Sequence, residues 1–121
     1  MAMENQDCTQ YLGTDFELVF SDIKDTVNGR LIDPGSVEAV SWAMGYFEES
    51  GEAIVQKTLD VDATMTEPGR ITIRVRPEDT ENLEPGFYSH ELRIKNIGRI
   101  ITLSRGKILF KYKIADFLEV Q

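Results

Sequence analysis

Apolar and polar residues alternate along most of the chain with a period of two, the pattern of strands that bury one face. In 14–21, Phe16, Leu18 and Phe20 alternate with Asp15, Glu17 and Val19. In 37–47, Val40, Trp42, Met44 and Tyr46 share a face. Ala, Met and Glu there also suit a helix, but Ser41, Gly45 and the aromatics weaken one, so a strand is preferred. The segment 53–61 reads as a returning strand with Ile54 and Leu59 inward, after a polar hairpin turn at 48–52. Residues 62–69 read as a loop ending in Pro68-Gly69. The cleanest strand is 70–76, where Ile71, Ile73 and Val75 alternate with Arg70, Thr72, Arg74 and Arg76.

In 87–95, Tyr88, His90, Leu92 and Ile94 share a face. Two further strands, 100–104 and 107–114, are expected to be joined by a short hairpin at Arg105-Gly106, with Ile108, Phe110, Tyr112 and Ile114 on one face of the second. Turn chemistry separates these runs at Asn28-Gly29, Asp33-Pro34-Gly35 and 96–99. Residues 115–121 read as a short tail. About seven short strands and no helix longer than a turn predict an all-β fold, an immunoglobulin-like antiparallel β-sandwich. It is expected to fill 14–121 as one domain behind a flexible N-terminal arm at 1–13.

The composition agrees with a folded globular domain, at 41% hydrophobic and 28% charged residues. No apolar run of about 18 residues is present, so no membrane span is expected. The opening residues have no basic region followed by an apolar run, so no signal peptide is expected. Synthesis and folding in cytosol follow. Net charge is −8, without the basic footprint that nucleic acid requires. Residues 1–60 carry 12 acids and 3 bases, and 61–121 carry 9 acids and 10 bases. Strands of a sandwich interleave, so folding is expected to blend the two halves. If the asymmetry survives, an acidic side and a milder basic side suit head-to-tail packing of copies.

Catalytic inventories fail. His90 is the one histidine and lies in a predicted strand, where a core or interface role is expected. Cys8 is the one cysteine, read as a free thiol of the arm. No nucleophile-elbow motif is present. Asp60-x-Asp62 resembles the start of a calcium loop but lacks the glycine at the sixth position and the glutamate at the twelfth. No cofactor or metal, and no enzymatic activity, is expected. Trp42 is expected to fill the core.

The most specific local signal is Leu83-x-Pro85-Gly86-x-Tyr88. Thr80 is expected to cap a helical turn through Asn82 and Leu83. Leu83 plugs the sandwich end, and Pro85-Gly86 suits a type II turn. The Tyr88 hydroxyl is placed to bond back to a backbone group a few residues upstream, as in a tyrosine corner. Together with Gly13-Thr14, Trp42, Glu91-Leu92-Arg93-Ile94 and Leu103-x-x-Gly106, the stretch Thr80-x-x-Leu83-x-Pro85-Gly86-x-Tyr88 resembles the immunoglobulin-like N-terminal domains of phage baseplate upper proteins and related virion modules. The resemblance covers about residues 13–114. It implies a non-enzymatic structural role in a phage or prophage particle, made in the host cytoplasm, with other virion proteins or further copies as partners. The chain departs in lacking the long helical or fibre region of larger baseplate proteins.

Lys107, Lys111 and Lys113 form a row that guards a sheet edge or makes one side of an acidic–basic contact. The alternative function is a ligand-binding module for carbohydrate or adhesion, with Tyr46, Phe47, Phe87 and Tyr112 as candidate exposed aromatics.

Overall fold

The computed structural model describes residues 7–25, 29–46 and 52–112. Expectations for 1–6, Asn28, Phe47, 48–51, Lys113, Ile114 and the 115–121 tail fall outside them. The described residues contain eight strands: β1 (Cys8–Tyr11), β2 (Phe16–Phe20), β3 (Val37–Tyr46), β4 (Val55–Leu59), β5 (Asp62–Glu67), β6 (Arg70–Val75), β7 (Gly86–Asn96) and β8 (Arg99–Lys111). One helical turn, α1 (Pro77–Thr80), precedes β7.

The fold is all-β. Its strands form one continuous sheet in the order β1-β8-β7-β3-β4-β5-β6-β2 instead of two hydrogen-bonded sheets. The sheet curls until its far ends face each other across a common core. Phe16 of β2 and Phe110 of β8 have ring centroids 6.1 Å apart, although five strands lie between β2 and β8 in sheet order. Phe20 of β2 likewise meets His90 of β7 at 6.4 Å.

The alternation predicts the core well. Val40, Trp42 and Met44 of β3, Ile71, Ile73 and Val75 of β6, and Tyr88, His90, Leu92 and Ile94 of β7 are all buried. Fully burying such an aliphatic side chain stabilises by about 1.5–3 kcal/mol, so these three strands anchor the fold.

Three expectations are corrected. Cys8–Tyr11, read as part of a flexible arm, is a strand that pairs in parallel with Ile108–Lys111 of β8, and Leu12 behind it is buried. Its polar sequence hides the strand because β8 supplies the pairing edge. Arg105-Gly106 is no hairpin: β8 runs straight through, Arg105 opposite Glu91 and Gly106 opposite His90. The irregularity is a bulge, with Leu103 the extra residue between Thr102 and Ser104. Finally, 62–67 is the strand β5 and not a loop, and only Pro68-Gly69 turns as expected. Asp60 and Asp62 both take positive φ, 66° and 64°, and fold the chain sharply between β4 and β5. The two strands then pair in parallel at Thr58–Asp62 and Leu59–Ala63. This corner carries the chain from one half of the curl to the other. Inward on β4 are Val55 and Lys57, both buried, while Ile54 is only partly buried.

Candidate functional site

The motif residues converge at one end of the curl. Pro77 at the first helical position and the Asp79 carboxylate, which accepts from Arg76 N at 2.8 Å, start α1 three residues earlier than the cap assigned to Thr80. Thr80 therefore ends the turn. It is fully buried, and its Oγ1 accepts from Gly13 N at 2.9 Å. That bond ties the β1–β2 connection to α1. Leu83 is half-buried against the core. Gly86 opens β7 with φ 142°, more extended than the second central residue of a type II turn and open only to glycine. Tyr88 Oη donates to Glu84 O at 2.6 Å, the upstream bond of a tyrosine corner.

Around Tyr88 lies an aromatic cluster. Tyr46 stacks on it at 5.7 Å and Phe110 meets it edge-on at 5.6 Å. Tyr112 Oη contacts Glu84 Oε2 at 3.4 Å. Tyr46 and Tyr112 are mostly exposed. Phe87 is also exposed but points to the outer face, where Lys107 Nζ sits 5.9 Å from its ring.

Sequence reasoning misses an ion-pair node at the β4–β5 corner. Lys57 is buried, and its Nζ donates to Asp62 Oδ2 at 2.9 Å and to Asp79 Oδ2 at 2.6 Å. Arg76 grips Asp62 with two groups, Nε to Oδ2 at 3.0 Å and Nη2 to Oδ1 at 2.9 Å. The Arg76 hydrogen bonds, joined by those of Lys57, hold the Asp62 carboxyl far below the usual carboxylate range. Burial works against the Lys57 ammonium, yet the bonds to Asp79 and Asp62 outweigh it and raise its pKa. Every charge here is matched, so the carboxylates of Asp62 and Asp79 are occupied by cations of the chain itself. The cue was an inward lysine beside Val55 and the Asp60-x-Asp62 pair. Period-two patterning gives no reason to place a lysine inside.

His90 is equally committed. Trp42 Nε1 donates to its Nδ1 at 3.1 Å. Indole nitrogen is only a donor, so Nδ1 is unprotonated and the ring proton lies on Nε2. Burial raises the Cys8 thiol above its ordinary pKa. No group of three or more His, Cys, Asp or Glu among the described residues is arranged to hold a metal ion.

The acidic and basic halves of the chain interleave in the sheet, with β1 beside β8, β3 beside β7 and β2 beside β6, as expected. A local basic excess remains: the hairpin β7–β8 with Tyr112 carries six bases and one acid, +5, within a chain of −8, so the other residues carry −13. On the outer face of the hairpin Glu91 bridges Arg93 at 2.5 Å and Arg105 at 3.0 Å, and Glu38 meets Lys95 at 3.6 Å. A shallow depression of about 270 Å³ lies there, lined by Ala39, Ser41, Arg93, Ile94, Lys95 and Ile100. Lys107 and Lys111 join this outer face. They do not guard an open edge, because β1 covers Ile108–Lys111 and Asp7 Oδ1 accepts from Lys107 N at 2.8 Å.

The chain matches no family model and no curated protein sequence.

Proposed function

We propose that the chain is a non-enzymatic structural module of a phage or prophage particle, a tail, baseplate or related virion component. It is made in the host cytoplasm and works through contacts with other virion proteins or with its own copies. The observation that carries this reading is the joining of the resemblance's separated pieces at one end of the curl. Gly13, from the first of them, hydrogen-bonds to Thr80, and the segment beginning at Thr80 closes its own tyrosine corner at Tyr88. The basic face with Lys107 and Lys111 supports association through protein surfaces. An antibody raised against the chain, applied to particles induced from the bacterium that encodes it, is expected to decorate them. Particles that assemble fully without bound antibody, from cells that express the chain, would reject the reading.

A ligand-binding module is the second reading, favoured by the exposure of Tyr46 and Tyr112 beside Glu84. Exposed aromatic rings near a carboxylate suit the apolar faces and hydroxyls of a sugar. Binding on a glycan array that disappears with Tyr46→Ala would select it.

A further inference from the structure

Among the described residues the curled sheet leaves several stretches of strand edge open, and two of them differ in sign. On β8, pairing with β1 begins only at Ile108, so Arg99–Gly106 has no strand neighbour on that side among the described residues. At the other end of the sheet, β2 pairs only with β6 among the described residues. We propose that copies of this chain join head to tail by strand addition, the β8 edge of one copy against the β2 edge of the next. The inference rests on the assembly reading above and names its surface.

Charge complementarity selects the occupant. The β8 edge carries Arg99 and Arg105, the latter bridged to Glu91, whereas β2 and its flanks carry Glu17, Asp22 and Asp15, the last bridged to Arg74 of β6 at 2.9 Å. An open edge is ordinarily blunted by charge against any other strand. Here the guard on one edge repels its own kind and attracts the other. Two β8 edges run antiparallel about Thr102 would set Arg99 against Arg105, and two β2 edges would bring their acids together. Only the mixed pairing opposes unlike charges. Antiparallel, with Arg99 near Asp22, which lies just past the five-residue β2 at φ 57°, Arg105 falls between Asp15 and Glu17. Ile100 and Val19, exposed by 72% and 43%, gain cover from the added strand. Two different patches in contact make a heterologous interface, which propagates into a ring or a filament instead of closing at a dimer.

The test is light scattering behind size-exclusion chromatography on the full chain. The mean mass should climb past twice the 13.7 kDa of one chain as concentration rises, and fall toward 13.7 kDa in high salt. A β8-edge variant, Arg99→Glu with Arg105→Gln, and a β2-edge variant, Glu17→Gln with Asp22→Asn, should each run at 13.7 kDa. Mixed, they keep one intact edge of each kind and should form a 1:1 pair that grows no further. A wild-type chain that stays monomeric at every concentration overturns the proposal. So does a discrete dimer indifferent to either variant, or a mixture that stays monomeric. Should a variant melt early, hydrogen exchange on the wild-type chain decides: rising concentration must protect amides in both 99–105 and 16–22, and protection of one alone overturns the pairing. Antibody-decorated particles with a monomeric chain would keep the assembly reading and sink this one. A polymerising chain absent from particles would do the reverse.

Discussion

Two clusters of charge in this molecule use the same residue types to opposite ends. At the β4–β5 corner, Lys57, Asp62, Arg76 and Asp79 interlock around a buried ammonium. On the outer face of β7 and β8, Arg93, Glu91 and Arg105 form a chain of ion pairs just as short but with both arginines exposed. Distance alone does not separate them. Water does: at the corner a lost partner leaves a charge that solvent cannot reach, whereas on the hairpin solvent replaces it. The corner is thus part of the fold, and the hairpin charges remain available to a partner.

The largest effect should come from breaking the corner. Asp62→Ala leaves Lys57 buried with Asp79 alone and should cost about 2–3 kcal/mol, read as a lower urea midpoint at unchanged slope. Acid should attack the same place next. Because Asp62 titrates below its ordinary value in the folded state, its stabilisation is complete above that value. As pH falls below it, the unfolded chain takes up a proton that the folded chain refuses, and the stabilisation drains away. Thermal melts from neutral to strongly acid pH should therefore show a steep loss in the wild type and a shallower one in Asp62→Asn. Between the two regions stands Tyr88→Phe, which removes one neutral hydrogen bond and should cost about 1 kcal/mol. Smallest is Arg93→Gln on the hairpin, expected within about 0.5 kcal/mol of wild type. If it matched the corner variant, the distinction drawn from solvent access would fail.

How much of this was legible follows the same divide. β3, β6 and β7 are readable because each sets apolar residues against polar ones at period two, and the structure buries the faces so marked. β4 and β5 blur because Lys57 occupies an inward position and two aspartates with positive φ fold the chain between them. Arg105-Gly106 has the composition of a turn, yet β7 pairs straight past it. The tyrosine corner was legible because its parts lie within a few residues of one another. The ion-pair node was not, since it joins residues from 57 to 79 through a corner that exists only after folding.

The pairing of β1 with β8 has a consequence for how the protein is made. Cys8 sits opposite Ile108, a partner synthesised a hundred residues later. During translation this strand therefore waits for its partner until a further hundred residues have emerged from the ribosome. Its sequence, Cys-Thr-Gln-Tyr, suits that wait. A strand rich in valine or isoleucine would seek any exposed edge in the crowded interval, while this one depends on its proper neighbour to become a strand at all.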